Sequence, residues 1–249
     1  GGIFLEFAGL EGVFLVGAIL YASALGLAFF VHTVPGSQNN GPGSIFSFLN
    51  DGIKLLQTNR VLVGVLAITV IYNMWAFPFV SMIPVIGKDV LGLSPLSVGL
   101  LVSAEGAGTL IGALLVLLTR SAAHYRRLYT FGLSISLAMA LIYSQMGAFV
   151  PSGVFLALEG IGAGLFAAMQ AALVLLNTPS QMRSRMMGLL SVCVGLCALG
   201  FLQIGLLADW VGAQNAVLIC TAEGLIALIL ACWTWPEIIA RQALPSSTS

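Results

Sequence analysis

The chain has 249 residues, of which 59% are hydrophobic and 7% are charged, and its nine basic residues balance nine acidic ones. A water-soluble domain carries about 25% charged residues, so this composition excludes an ordinary cytosolic enzyme. The zero net charge excludes a basic nucleic-acid binder and an acidic disordered tail. Together with a mean hydropathy of +1.06, these values indicate a chain whose solvent is lipid.

Seven apolar runs are long enough to cross a hydrocarbon core, which takes about 20 residues. They are residues 12–31, 61–84, 95–118, 125–147, 151–176, 186–208 and 213–235. The sequence therefore predicts an all-α, polytopic transmembrane helix bundle. Residues 1–10 are apolar but too short to span, so we expect them to be the tail of a further, truncated helix. Because the chain opens without methionine, we expect it to begin partway through a larger protein.

The one long connection between the apolar runs covers residues 32–60. Its first half is rich in glycine, proline and asparagine and predicts an aqueous loop. In its second half, residues 44–56 place apolar side chains on a roughly helical spacing. This pattern predicts a short amphipathic helix on the membrane surface.

The basic residues are distributed unevenly between the two sides of the predicted bundle. Lys88 lies on one side, and the other eight lie on the opposite side, in the long loop, the next two alternate connections and the tail. Lysine and arginine are enriched in cytoplasmic loops. The sequence therefore predicts a multi-pass cell-membrane protein whose long loop and C-terminus are cytoplasmic.

Three glutamates fall inside apolar runs: Glu105, Glu159 and Glu223. An ionisable residue in a span costs about 2.5–3.5 kcal/mol and is a functional candidate by default. At about 1.5 Å of rise per residue, all three lie roughly 12–15 Å from the outer helix ends. We predict Glu105 and Glu159 to be proton-coupling residues, since a carboxyl in a low-dielectric cavity can hold a proton and release it when the cavity opens. The alternative is a structural role, in which a protonated glutamate bonds a neighbouring backbone carbonyl.

Polar and aromatic residues at similar depth predict a substrate cavity lined by Asn73, Trp75 and Gln170. The aromatic residues Tyr72, Trp75, Phe77 and Phe79 would form one wall of it, although lipid-facing aromatic side chains would give the same pattern. Gln170 and Gln203 would either contact substrate or bridge helices.

Glycine and proline positions predict how the helices pack and bend. The pairs Gly108 with Gly112 and Gly160 with Gly164 allow two helix backbones to approach closely. Pro78 and Pro84 are expected to kink or end the second run.

The sequence contains no catalytic motif, so we expect the chain not to be an enzyme. The four cysteines lie in apolar runs without a Cys-x-x-Cys spacing and are expected to be packing residues. We therefore expect no cofactor and no metal.

The order of these elements resembles the C-terminal half of a major facilitator superfamily transporter, in which two six-helix halves are joined by a central cytoplasmic loop. The resemblance divides the chain into the end of helix five with helix six (1–31), a cytoplasmic linker (32–60), the C-terminal six-helix bundle (61–235) and a cytoplasmic tail (236–249).

Two loop segments carry the resemblance at the level of residues. Residues 112–128 resemble the family's Gly/Asp/Arg loop motif, with Thr119 in place of Asp and Ala122 in place of Gly. Residues 178–189 are similar to a stretch of the bacterial drug and siderophore exporter branch, with Ser184 in place of Gly. The cytoplasmic loop motifs then contain Arg120, Arg126, Arg127, Arg183 and Arg185, which we interpret first as topology anchors.

The resemblance implies secondary active transport by alternating access, and in the exporter branch proton-coupled efflux of hydrophobic or amphipathic small molecules. The implied partners are a small-molecule substrate, protons, the lipid bilayer and the missing N-terminal half, with no nucleic acid. It also implies that the last helix, with Glu223, is peripheral. Two alternatives stay open: a nutrient importer of the same fold, and a non-transporting membrane assembly subunit or remnant.

Overall fold

The computed structural model describes residues 2–28, 59–119 and 124–240, which are helical with no strand among them. The helices are α1 (Gly2–Ala28), α2 (Arg60–Val90), α3 (Pro95–Leu117), α4 (Tyr125–Tyr143), α5 (Phe149–Leu176), α6 (Ser180–Val211) and α7 (Ala213–Thr234). A short 3-10 turn, Pro236–Ile238, follows α7. The predicted amphipathic segment 44–56 and Arg120 lie outside the described residues.

Five of these helices, α2, α3, α5, α6 and α7, are long and apolar enough to cross a membrane. The apolar stretch of α1, Phe14–Leu27, is shorter, and the 19-residue α4 carries two arginines in its first turn. Large apolar side chains such as Leu110, Leu202 and Ile229 are exposed on the outside of the bundle. So much exposed apolar surface is expected of a protein that is surrounded by lipid. The all-α, multi-pass membrane fold is therefore confirmed.

Three helix boundaries differ from the expectation. Residues 1–10 were expected to be a separate helix, but Gly2–Ala28 form one continuous helix, because a glycine within a helix costs only about 1 kcal/mol and does not end it. Helix α2 continues past Pro84 to Val90, and α6 begins at Ser180 rather than near residue 186.

Helix α2 stays continuous by changing its hydrogen-bond pattern around Pro78. Tyr72–Ala76 form a π-helical segment, in which the backbone N–H of Phe77 bonds the carbonyl of Tyr72, and Phe77–Ser81 form a 3-10 segment. Proline has no N–H to donate and its ring displaces the preceding turn, so a regular α-helix is not available there. Helix α6 is also irregular, since Leu196 separates Arg183–Gly195 from Cys197–Val211.

Helices α3 and α5 touch at backbone level through a glycine seam, which consists of Gly108, Gly112, Gly160 and Gly164. A Cβ on either α3 glycine would overlap a carbonyl oxygen of α5, at Ala157 or Ile161. Conversely, a Cβ on either α5 glycine would overlap a carbonyl oxygen of α3, at Glu105 or Thr109. The predicted close approach of these two glycine pairs is present, and the two helices recognise each other through both pairs.

The opposite side of α5 makes the same kind of contact with α4. A Cβ on Gly132 would lie 2.7 Å from the carbonyl oxygen of Gly162, and a Cβ on Gly162 would lie 2.6 Å from that of Gly132. Helix α5 is therefore packed at backbone distance on two sides. The side chains that it carries near these glycines have little room to move.

Residues 235–240, which follow α7, pack against the bundle. Ile238 is fully buried, and its side chain fills the space beside Gly64 on α2. Arg60 forms a salt bridge with Glu237, with 3.2 Å between Nε and Oε1. Ile238, in the segment 236–249 that we expect to be cytoplasmic, thus completes the apolar core at this end.

We predict that Gly108→Ala lowers the free energy of unfolding by about 1–3 kcal/mol, because the added methyl group overlaps the Ala157 carbonyl across the glycine seam. Gly106→Ala is the matched control on the same helix, since a Cβ at Gly106 meets nothing within 4 Å. Thermal unfolding in lipid nanodiscs measures both. Equal destabilisation by the two variants would contradict the seam.

Candidate functional site

Glu159 lies on α5 inside the bundle and is only 2% exposed. The Ser136 hydroxyl of α4 donates a hydrogen bond of 2.5 Å to its Oε1. Its Oε2 is buried and has no hydrogen-bond partner among the described residues. A buried polar atom without a partner costs about 1–3 kcal/mol, and in a native protein such an atom calls for a functional explanation.

Glu105 lies on α3 at the level of Glu159 and is half-buried. The Thr109 hydroxyl bonds its Oε1 at 2.9 Å and its backbone carbonyl at 3.2 Å. Because Gly160 packs on the Glu105 carbonyl, the seam fixes the level of the two carboxylates relative to each other. Glu159 directly precedes Gly160, so both glutamates lie at the same part of the contact between α3 and α5. The structure thus brings together the two residues predicted to couple protons.

The three predicted cavity residues have different environments. Asn73 is 5% exposed, and its amide donates to the Thr69 carbonyl at 2.8 Å within α2. Gln170 is half-buried on α5. Trp75 is half-buried, and its indole N–H points to α7, toward Glu223. Their role in substrate binding stays a prediction, and in this conformation Asn73 is an internal residue of the bundle.

Aromatic rings form a continuous row through the middle of the bundle. The centroid distances are 5.7 Å between Phe201 and Phe77, 6.2 Å between Phe77 and Tyr72, 4.0 Å between Tyr72 and Phe166, and 4.5 Å between Phe166 and Tyr129. The row begins with exposed rings, since Phe77 is 39% exposed and Phe201 36%, and it ends in the core.

The aromatic wall expected from the sequence is only partly present. Tyr72 and Phe77 belong to the aromatic row, whereas Phe79 is fully buried beside Tyr143, with 6.3 Å between the ring centroids. Residues four positions apart share a helix face in a regular α-helix, but the π and 3-10 segments of α2 change that register. The sequence did not indicate those segments beyond the presence of Pro78.

Glu223 joins three helices, although the resemblance had implied a peripheral place for it. The indole N–H of Trp75 on α2 and the amide of Gln203 on α6 both donate to its Oε2, at 2.9 and 2.6 Å. We name these three residues the Glu223 triad. All three were noted as polar residues inside spans, but no feature of the sequence indicates that they pair.

Two of the loop arginines, which we interpreted first as topology anchors, also bind neighbouring elements of the bundle. Arg126, at the start of α4, donates to Oδ1 of Asn177 at 3.2 Å and to the Glu237 carbonyl at 3.4 Å. Arg127 donates to the Ile239 carbonyl at 2.9 Å. The first turn of α4 is thereby tied to the end of α5 and to the chain after α7.

The second pair of loop arginines lies at the start of α6. Arg183 is exposed and Arg185 is half-buried. Over the ranges that the structure covers, no cluster of three or more His, Cys, Asp or Glu side chains is placed to hold a metal ion, and the four cysteines are free thiols.

We predict that Ser136→Ala destabilises the protein by about 1–3 kcal/mol, because it removes the hydrogen bond to Oε1 and leaves both oxygens of Glu159 without a partner. Ser134→Ala is the matched control, since the Ser134 hydroxyl bonds only the Thr130 carbonyl of its own helix. The thermal midpoint in nanodiscs distinguishes the two. A loss confined to Ser134→Ala would contradict the assignment.

No curated protein sequence matches the chain at a significant level. The family model described as "transmembrane secretion effector", a major facilitator family, matches residues 1–247. This match covers nearly the whole chain and agrees with the multi-pass helical fold. The chain therefore belongs to the transmembrane secretion effector family of major facilitator transporters.

Proposed function

We propose that the chain is the C-terminal half of a proton-coupled exporter of hydrophobic or amphipathic small molecules, working by alternating access together with an N-terminal half. Glu159 and Glu105 carry the proton. Membership of a transporter family gives the general activity, and the arrangement of the two carboxylates supports the finer assignment.

One observation carries the proposal: the buried Glu159, with one oxygen unpartnered, lies level with the half-buried Glu105. Two negative charges at one level of a low-dielectric bundle repel each other strongly. A single proton shared by the pair relieves this repulsion, and a protonated carboxyl offers a donor that an ionised one lacks. Glu105 has access to the exposed face of the bundle and Glu159 does not. The pair thus supplies an inner proton site and an outer exchange site.

The nature of the cargo is supported by the side chains around the pair. Tyr72 stacks on Phe166, which follows Glu159 by seven residues on α5, and belongs to the aromatic row, whose outer rings are Phe77 and Phe201. A site with aromatic faces and few charged side chains favours a hydrophobic molecule over a sugar or an ion. The word "secretion" in the family's description supports export as the direction.

The proposed orientation places the arginine-rich end of the bundle in the cytoplasm. Arg60, Arg126 and Arg127 all bind the chain that follows α7, so they lie at the end of the bundle where α7 ends. Lys88 lies near the other end of α2. This arrangement agrees with the positive-inside rule in a cell membrane. The C-terminus and the long loop would then be cytoplasmic.

The proposal is tested by joining the chain to its N-terminal half and measuring efflux of a fluorescent hydrophobic cation from energised cells. We expect Glu159→Gln and Glu105→Gln each to lower protonophore-sensitive efflux at least about tenfold, since a glutamine cannot release a proton at this site. Asp209→Asn is the control, because Asp209 is an exposed carboxylate at the far end of α6.

Two results would overturn the proposal. Efflux that survives both glutamine variants would exclude proton coupling by this pair. Accumulation of the dye instead of efflux, in correctly inserted protein, would indicate an importer.

A further inference from the structure

The Glu223 triad connects the π-helical segment of α2 with the part of α6 that follows its break. Trp75 lies in the π-helical segment Tyr72–Ala76 of α2, and Gln203 lies in Cys197–Val211, the part of α6 that follows the break at Leu196. Both side chains donate to one oxygen of Glu223 on α7, which is regular from Ala213 to Thr234. The regular helix α7 therefore binds both α2 and α6 through one atom, the Oε2 of Glu223.

The two segments that carry Trp75 and Gln203 also pack directly on each other. A Cβ on Gly200 of α6 would overlap the Met74 carbonyl and lie 3.0 Å from the Asn73 carbonyl. One residue further on, the Phe201 ring meets the Phe77 ring edge-on at 5.7 Å. The carbonyls that face Gly200 belong to the π-helical segment, where the ordinary backbone ladder of α2 is interrupted. The contact thus joins the irregular turn of α2 to the α-helical part of α6 that begins just after its break at Leu196.

A π-helical segment inside an α-helix often marks a functional site, and a helix bends most readily where its backbone ladder is interrupted. Alternating access requires elements that have two discrete arrangements. Helices α3 and α5 are poor candidates for such a change, because the glycine seam locks them at backbone distance. The π-helical segment of α2 and the break of α6 at Leu196 are the better candidates.

We propose that Glu223 is a positioning residue that holds these two segments as a hinge pair, through Trp75 and Gln203, so that α2 and α6 change shape together. The use of this hinge in transport rests on the proposed function. The linkage itself does not, because it is a property of the folded chain. A carboxylate suits this role because one oxygen accepts two hydrogen bonds and donates none.

The linkage is tested by hydrogen–deuterium exchange on the full chain in lipid nanodiscs, without substrate. We expect Glu223→Ala to speed amide exchange about tenfold in both segments, because each segment loses a side-chain hydrogen bond to α7. Exchange in α3 and α5 should stay unchanged. Glu223→Gln keeps an acceptor oxygen and should restore most of the protection.

Two further variants keep the test decisive if Glu223→Ala folds poorly. Trp75→Phe should release only Tyr72–Ala76, and Gln203→Leu only Cys197–Val211, since each removes one donor. Gln214→Ala is the control on α7, because its side chain makes only a 3.5 Å contact with the Met146 carbonyl. Unchanged exchange in both segments, or faster exchange spread evenly along α7, would overturn the proposal. Selective release without any effect on efflux would retain the linkage and reject its use in transport.

Discussion

The structure depends on the backbone contact between α3 and α5. In lipid, helices gain nothing by burying apolar side chains against each other, so their association relies on close packing and on hydrogen bonds. The four glycines of the seam supply that close packing reciprocally, and Gly132 with Gly162 extends it to α4. The three helices form the rigid part of the bundle. The carboxylates at their contact are held at fixed heights.

The close packing of these helices explains how the bundle can contain carboxyl side chains within its spans. Glu159 has one bonded oxygen and one without a partner, Glu105 is supported by Thr109, and Glu223 accepts from two helices. Each carboxylate lies where helices meet, so the protein controls its partners instead of leaving it to lipid. The rigid helices carry the carboxylate pair, and the irregular helices α2 and α6 meet at the third glutamate. In the mechanism that we propose, proton binding and change of shape belong to neighbouring but distinct parts.

Much of the fold could be predicted from the sequence, because a membrane span is a strong signal in length and composition. The positions of the helices, the close approach at Gly108 and Gly160, and the polar level of Glu105 and Glu159 all followed from spacing. The pairing of side chains between helices that are distant in sequence could not be predicted from spacing. The bonds of Trp75 and Gln203 to Glu223 depend on the rotation of α2, which the π-helical segment alters. Ile238 was likewise placed in a tail, because its partner, Gly64, is far away in sequence.

We propose above that Glu159, held level with Glu105 by the glycine seam, carries the transported proton. The most direct measurement is proton release from the purified complete transporter, in weak buffer with a pH indicator, when a hydrophobic cation is added. We expect proton release from the unmodified protein and none from Glu159→Gln, with the cation still bound. The same release from both proteins would contradict it.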